Sequence, residues 1–135
     1  MRNTVRLLAL AILSAPLVLA QSKKIEATDL PSHPFQVAFP SGNQLKMYLR
    51  SGDFRVSGRE DDKITVRVEA KDPEKAKEIK VRFQRFDHSA ELSISGGPKN
   101  DVQITVEIPR STGLFVRMPA GQLELSDGYI MLRQT

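Results

Sequence analysis

Apolar and polar side chains alternate along most of the chain. Leu45, Met47 and Leu49, for example, are separated by Lys46 and Tyr48. Such alternation places one set of side chains on each face of a strand, and it is typical of a sheet with one dry face and one wet face. The same pattern recurs in two later runs, whose apolar members are Ile64, Val66 and Val68, and then Val102, Ile104, Val106 and Ile108.

Short polar clusters with glycine separate the runs and supply the backbone freedom that a chain reversal needs. Regularly spaced short strands predict an all-β fold, either sandwich-like or a stacked β-strand repeat such as a β-solenoid. The turn signals are Ser41-Gly42-Asn43, Ser51-Gly52-Asp53, Ser57-Gly58, Gly96-Gly97-Pro98 and Ser111-Thr112-Gly113.

Two short segments depart from this alternation. Asp72, Pro73 and Glu74 form a helix start, with Asp72 as the N-cap, proline in the first helical position and an acid in the first turn. The stretch is too short for an independently stable helix, so we expect a helical turn over residues 73–78. Phe86 is out of phase with the preceding apolar residues, and either a bulge restores its inward direction or Phe86 begins a turn.

The N-terminus carries the pattern of a secretory signal peptide. Arg2 begins a basic region, Leu7 to Leu13 form a short apolar segment, and Val18 and Ala20 occupy the −3 and −1 positions of a cleavage site. The apolar segment is too short to span a membrane, which takes about 20 apolar residues. We therefore expect residues 1–20 to be removed on export, and the mature chain to be periplasmic, on the cell surface or secreted.

The remaining chain divides into a polar lead-in and one domain. Residues 21–34 are polar and contain two prolines, which favours a linker or a loosely docked segment. Residues 35–135 carry all of the alternating runs, and their number fits a single β-repeat domain.

Composition narrows the possible chemistry. The chain has no cysteine, which excludes disulfides, thiolate catalysis, zinc–thiolate sites and iron–sulfur clusters, and it has only two histidines. Without Arg2 and Arg6 the basic residues fall from 20 to 18 against 16 acids, so the net charge of the mature chain is +2. Because the cations alternate with acids, we expect no nucleic-acid partner. No motif indicates a cofactor.

Two stretches of the chain repeat one another. SGDFRVSG at residues 51–58 and AGQLELSDG at residues 120–128 both combine a glycine turn with a short strand that ends in serine. We expect each strand to bury its two apolar side chains. Recurring units of this kind are typical of stacked strands in a repeat architecture.

Three stretches in order, SGDFRVSGREDDKITVRVEA, VQITVEIPRSTGLFVRMPAG and QLELSDG, resemble the bacterial putative-adhesin domains of unknown function, which have toast-rack-like β-repeat folds. The resemblance runs from about Gln44 to Thr135, and its most specific part is the strand that ends in Ile-Pro-Arg before a Ser-Thr-Gly turn. It implies export, an all-β stack and a surface or adhesion role, and it supplies no catalytic residues. Family members continue with further glycine-turn repeats, so the chain is either a short member or truncated at Thr135.

The densest acidic cluster, Glu60-Asp61-Asp62, and Asp53, a short strand away, are the candidates for a calcium site, since hard oxygen ligands bind this ion. The spacing matches no EF-hand loop, and the flanking residues Arg59 and Lys63 neutralise the acids. We therefore expect a solvated turn here and no metal.

Residues 87–89, Asp-His-Ser, have the residue types of a hydrolase triad. Adjacent side chains point in different directions and no G-x-S-x-G elbow is present, so we expect a polar hairpin loop. An exported carbohydrate-active hydrolase or lyase is nevertheless the second functional hypothesis, and an envelope ligand-sensing domain is the third. The candidate carboxylates for the second hypothesis are Asp53, Glu124 and Asp127.

The leading hypothesis is an exported, non-enzymatic β-repeat module for surface or envelope interaction, with an unknown protein or glycan as its partner. Recognition would use a sheet face or an exposed edge strand, and residues 129–134 are the candidate edge and a route to self-association. Interleaved acids favour a mixed surface over a basic one. The basic positions that are candidates for one wet face, able to attract anionic glycans, lipid headgroups or nucleic acid, are Arg50, Arg55, Arg59, Arg67, Lys80, Arg82 and Arg85.

Overall fold

A computed structural model of the protein describes residues 24–126 and 131–134. The signal peptide predicted at residues 1–20 lies outside this part of the chain. The described residues form two β-sheets and one short helix, α1, at Pro73–Ala76. The strands are β1 (Lys24–Ala27), β2 (Phe35–Ala38), β3 (Gln44–Leu49), β4 (Gly52–Arg59), β5 (Lys63–Ala70), β6 (Lys80–Arg85), β7 (Ser89–Ser95), β8 (Val102–Pro109), β9 (Gly113–Arg117), β10 (Gly121–Ser126) and β11 (Met131–Gln134).

Both sheets are mixed, and neither closes into a barrel. The strand order is β1-β6-β7-β3-β9-β11 in the six-stranded sheet and β10-β4-β8-β5-β2 in the five-stranded sheet. The apolar side chains of both sheets form one buried core cluster. The predicted all-β, sandwich-like fold is therefore confirmed.

In each sheet, the strands on one side of the strand order pair in parallel. β3 pairs in parallel with β7 and β9, and β4 pairs in parallel with β8 and β10. The consecutive strands β3–β4, β7–β8 and β9–β10 each cross from the six-stranded to the five-stranded sheet. Three similar two-strand units therefore stack side by side, with the β3–β4 unit in the middle.

The two repeated stretches of the sequence are neighbours in this stack. β10 pairs with β4 in register, from Gly121 opposite Gly52 to Ser126 opposite Ser57. The repeat therefore marks two adjacent, parallel strands, as expected for stacked units.

Burial differs between the two copies of the repeat. Phe54 and Val56 of β4 are buried, whereas Leu123 of β10 is half-buried and Leu125 is 37% exposed. The expectation that both copies bury two side chains is wrong for the second copy. The reason is position, because β4 has a strand on each side and β10 is the terminal strand of its sheet.

The alternation predicted from the sequence is confirmed in the core strands. Leu45, Met47 and Leu49 of β3 are buried, and the intervening Lys46 and Tyr48 face outward and are exposed and half-buried, respectively. In the two later runs the apolar members are buried as well, but in β5 the intervening Thr65 is also buried, at 4% exposed. The buried apolar members are Ile64, Val66, Val68, Val102, Ile104, Val106 and Ile108.

The short helix has the predicted start. The Asp72 side chain accepts a hydrogen bond from the backbone N–H of Glu74 at 3.2 Å, and Pro73 occupies the first turn. Ala76 is fully buried on the inner side of α1. For Phe86 the turn alternative is the correct one, since β6 ends at Arg85 and the exposed Phe86 begins the turn into β7.

Two expectations about chain organisation are corrected. The described part of the polar lead-in is docked, because β1 pairs with β6 in antiparallel fashion and Leu30 is only 1% exposed. The turn predicted at Ser57-Gly58 is wrong, because these residues continue β4 and pair with Glu107 and Ile108 of β8. The other four glycine clusters lie at junctions between strands.

Candidate interaction surfaces

The outer side of the five-stranded sheet, here called the five-stranded face, carries most of its charges in ion pairs. Arg59 donates to both carboxylate oxygens of Asp61, with Nη2 2.8 Å from Oδ2, and to the Thr65 hydroxyl at 2.5 Å. The Glu107 carboxylate lies 3.4 Å from the Arg59 guanidinium and 3.5 Å from that of Arg67.

The same arrangement extends to the last strand of this sheet. Arg55 on β4 and Glu124 on β10 are register partners, and their side chains meet at 3.0 Å. Arg55, Arg59 and Arg67 therefore each have a carboxylate partner. The five-stranded face is a mixed surface, as its interleaved acids indicate.

The contact between Arg59 and Asp61 favours the charged form of both side chains. The hydrogen bond from Arg59 lowers the pKa of the Asp61 carboxyl below its ordinary value, and the same bond raises the pKa of Arg59. Their side chains are 23% and 48% exposed, so solvent screens the pair and its net contribution to folding is small.

The calcium candidates do not form one cluster. Residues 60–62 lie in the turn between β4 and β5, whereas Asp53 lies at the opposite end of β4. Among the described residues, no group of three or more histidines and acids has the arrangement of a metal site. In the turn, Glu60 contacts Arg110 at 3.4 Å, Asp61 contacts Arg59, and the Asp62 carboxylate accepts from the Ser41 N–H at 3.3 Å.

A shallow depression of about 460 Å³ lies at one end of the five-stranded face. Asp53, Gln103 and Glu69 occupy one row across β4, β8 and β5 there, and Asp101 borders the same depression. Two strand spacings separate the outer positions of the row, or about 10 Å. Sequence reasoning missed Glu69 and Asp101, because their proximity to Asp53 depends on β8 lying between β4 and β5.

Two of the three carboxylates predicted for glycan hydrolysis lie on the five-stranded face. Asp53 on β4 is in register with Gln122 of β10, and Glu124 is two positions further along β10. Glu124 is bound by Arg55. Asp127 lies outside the described residues.

Of the hydrolase-like triplet at residues 87–89, Asp87 and His88 lie in the turn between β6 and β7, and Ser89 begins β7. The Phe86 N–H donates to the Ser89 carbonyl at 2.8 Å and closes the turn. The His88 carbonyl accepts from the Gln44 N–H at 3.1 Å and attaches the turn to β3.

The outer side of the six-stranded sheet, here called the six-stranded face, combines aromatic rings with cations. On β3, the exposed Lys46 is followed two residues later by the half-buried Tyr48. On the neighbouring β9, the half-buried Phe115 is followed by the exposed Arg117. Lys46 is in register with Phe115, and Tyr48 is in register with Arg117. These four residues, here called the checkerboard, thus alternate ring and cation in both directions.

Ion pairing is sparse on the six-stranded face. Arg82 of β6 contacts Glu26 of β1 at 2.9 Å. In the part of the chain that the structure describes, Lys46, Lys80 and Arg117 have no carboxylate within ion-pair distance. The two faces therefore differ in how their cations are neutralised.

The basic positions considered for one wet face are in fact divided. That hypothesis is wrong, because consecutive strands such as β3 and β4 belong to different sheets, which the linear pattern does not show. Arg55, Arg59 and Arg67 lie on the five-stranded face, and Lys80 and Arg82 lie on the six-stranded face. Arg50 donates to the backbone carbonyls of Ser51 and Pro98. Arg85 donates to the backbone carbonyl of Ala38.

Among the described strands, β10 and β11 are the outermost on one side of the stack, and this side is here called the open end. β10 is the terminal strand of the five-stranded sheet, and β11 is the terminal strand of the six-stranded sheet. Both pair in parallel with their inner neighbours. The candidate edge predicted at residues 129–134 includes β11, which comprises residues 131–134. Residues 129 and 130 lie outside the described residues.

Comparison with known proteins yields one structural similarity. No family model matches the chain, and no curated protein matches it. A crystal structure of a putative cell adhesion protein from Clostridium sporogenes is similar at a TM-score of 0.46 and 13% sequence identity, over 84% of this chain and 57% of that protein. A similarity at that level carries no argument about function. None of the described helices has the length and apolar character to cross a membrane.

Proposed function

We propose that the protein is an exported, non-enzymatic interaction module of the bacterial envelope or cell surface. The observation that carries this proposal is the open end, where both sheets finish in parallel-paired strands. A terminal strand has unpaired N–H and C=O groups, which extend the ladder to another chain. Export is supported by the predicted signal peptide, and an adhesin-like role is supported by the family resemblance of residues 44–135.

A second copy of the chain is the partner that fits the open end. Leu125 is 37% exposed although its register partner Val56 is fully buried. A strand added beside β10 would bury Leu125, as the two neighbours of β4 bury Val56. A second copy offers the same leucine on the same kind of strand, so a two-fold arrangement covers both leucines at once.

A charge placed at Leu125 tests this mode of association. We expect Leu125→Lys to weaken self-association of the purified chain by about tenfold or more in sedimentation velocity, because the edge would bring two ammonium groups together. Gln122→Lys is the matched control, since Gln122 lies on the same strand and is exposed on its outer side. It adds the same charge and should leave association unchanged.

Either of two results would overturn association through the open end. One is a wild-type chain that stays monomeric over the whole accessible concentration range. The other is an equal effect of Leu125→Lys and Gln122→Lys, since a general change in net charge would then explain both.

Export has its own test. Production of the full chain in a bacterium should yield a protein outside the cytoplasm whose first residue is Gln21, because the cleavage site follows Ala20. Recovery of a cytoplasmic chain that retains residues 1–20 would overturn export. Neither result depends on the sedimentation experiment.

The depression on the five-stranded face supports a second candidate function, glycan hydrolysis. The row Asp53–Gln103–Glu69 places the backbone positions of two acids about 10 Å apart on one face, and the carboxyl groups of inverting glycosidases are about 6.5–9.5 Å apart. Release of reducing ends from a panel of polysaccharides, abolished by Asp53→Asn or Glu69→Gln, would favour this enzyme over the interaction module. We expect no release.

A further inference from the structure

The two sheet faces differ in a way that the mixed composition of the chain conceals. On the five-stranded face, each of Arg55, Arg59 and Arg67 has a carboxylate at 3.0 to 3.5 Å. On the six-stranded face, Lys46 and Arg117 have no carboxylate within ion-pair distance among the described residues. Glu91 of β7 is the register partner of Lys46 on its other side but makes no ion pair with it, so both cations remain available to an anionic ligand.

The unpaired cations flank the two aromatic rings of this face. In the checkerboard, Lys46 is the register partner of Phe115, and Arg117 is the register partner of Tyr48. Neighbouring strands lie about 4.8 Å apart, and residues two positions apart along a strand are separated by about 6.6 Å. Each ring therefore has one cation beside it on the next strand and another along its own strand.

Both rings are partly open to solvent. Tyr48 and Phe115 are half-buried, whereas the inward residues of the same strands, such as Met47 and Val116, are fully buried. The parallel pairing of β3 and β9 fixes the spacing of the two strands that carry the rings. An aromatic ring also presents a negative face to weakly positive C–H groups.

We infer that the checkerboard binds an acidic polysaccharide. Sugar rings pack their C–H groups on Tyr48 and Phe115, while the carboxylate groups of the ligand accept hydrogen bonds from Lys46 and Arg117. This inference deepens the proposed function by naming a partner class, and it rests on that function only for the location of the ligand outside the cytoplasm.

Shape and charge favour an acidic polysaccharide over a membrane or a nucleic acid. A membrane-binding surface inserts protruding apolar side chains, whereas these rings are half-buried in a sheet. A nucleic-acid surface gathers many cations along a path, whereas the checkerboard has two, Lys46 and Arg117. The separate cations of the checkerboard, each beside a ring, correspond to a polysaccharide that carries one carboxylate on each sugar ring.

The binding experiment uses the purified chain and polygalacturonate as the probe, with titration calorimetry at low salt. We expect binding to polygalacturonate, and none to dextran, a neutral polymer of similar size. The double variant Lys46→Gln/Arg117→Gln should weaken binding by about tenfold or more. The matched control Arg55→Gln/Arg67→Gln removes the same charge from the five-stranded face, and its affinity should stay within about twofold of the wild type.

The aromatic contribution is tested separately by Tyr48→Thr, which keeps a residue that favours strands at this position. We expect Tyr48→Thr to bind polygalacturonate more weakly than the wild type does. This difference should remain at about 0.15 M salt, where surface charge is screened over about 8 Å, because ring packing does not depend on charge. Thermal unfolding of each variant is the control for an intact sheet. Unchanged binding by Tyr48→Thr would overturn the stacking role of the ring.

Several outcomes would overturn the inference as a whole. Equal losses in the two double variants would show general charge attraction. Binding of dextran as tight as that of polygalacturonate would show that the cations play no part. Tighter binding to single-stranded DNA or to anionic lipid vesicles than to polygalacturonate would assign the face to one of those partners. A wild-type chain that binds polygalacturonate but stays monomeric would overturn only the open end as an association site.

Discussion

Gly121 lies directly beside Gly52 in the parallel pair of β10 and β4, at the corners where two stacked units turn from one sheet to the other. The Gly52 N–H donates to the carbonyl of Ala120 at 3.4 Å. A Cβ on Gly121 would lie 2.1 Å from the Gly52 carbonyl oxygen, far inside contact distance. Gly121 also has a φ of +114°, which side chains rarely adopt. Glycine at this corner is what allows the two units to stack so closely.

We therefore expect Gly121→Ala to destabilise the stack. The clash and the unfavourable φ together should cost about 2–4 kcal/mol in urea unfolding. Gly42→Ala is the control for φ alone, because Gly42 has a φ of +89° and its added Cβ would meet nothing within 4 Å. That variant should lose about 1–2 kcal/mol. Equal losses in the two variants would show that the close approach of the corners contributes nothing.

The repeat that contains these two glycines also shows which features of the fold can be predicted from the sequence alone. The repeat of small–Gly–polar–apolar–polar–apolar–Ser is local, so it was visible in the sequence, and it predicted stacked strands correctly. The alternation in β3, β5 and β8 and the Asp72 cap are local in the same sense. Each of these features depends on residues within one strand or turn.

Features that depend on strand order could not be predicted. Arg55 and Lys46 belong to opposite faces because the chain changes sheets between β3 and β4. Leu125 is exposed and Val56 is buried because of the position of their strands, although the sequence patterns match. The checkerboard exists because β9 returns beside β3, after five intervening strands.

Arg50 joins two of the stacked units at the same corner region. Its guanidinium donates to the Ser51 carbonyl at 2.5 Å and to the Pro98 carbonyl at 2.8 Å, and it lies 6.0 Å from the ring centre of Phe54. Partial burial lowers its pKa from the ordinary value. Lysine cannot reproduce this forked donation, so Arg50→Lys should lose about 1–2 kcal/mol in urea unfolding.

Arg117→Lys is the control for Arg50, because Arg117 is exposed and has no ion pair among the described residues. Its loss should stay below about 0.5 kcal/mol. A similar loss at both positions would mean that the two carbonyl contacts of Arg50 do not stabilise the corner.

The Arg59–Asp61 pair predicts a small pH dependence of stability. Because Arg59 lowers the pKa of Asp61 in the folded protein, the pair stabilises the fold above the unfolded value of about 3.9. This contribution fades as the pH falls through the lower folded value. Asp61→Asn should therefore be less stable than the wild type near neutral pH and should converge with it in strong acid.

Urea unfolding at a series of pH values measures this convergence. Asp87→Asn is a suitable control, because it removes one carboxylate from the exposed turn between β6 and β7. Its difference from the wild type should be smaller near neutral pH. A difference between Asp61→Asn and the wild type that stays constant down to strong acid would contradict the electrostatic origin.

The Asp72 cap links a local sequence signal to the core. Its carboxylate accepts from the Glu74 N–H at 3.2 Å and fixes the first turn of α1, whose Ala76 is fully buried. The following Ile79 is also fully buried, and its N–H donates to the Ala76 carbonyl at 3.1 Å. We expect Asp72→Ala to lower the free energy of unfolding by about 0.5–2 kcal/mol. Asp72→Ser keeps a capping oxygen and should recover most of that loss. Equal destabilisation by alanine and serine would show that the side-chain oxygen does not hold the turn, and that the packing of Ala76 and Ile79 alone positions α1.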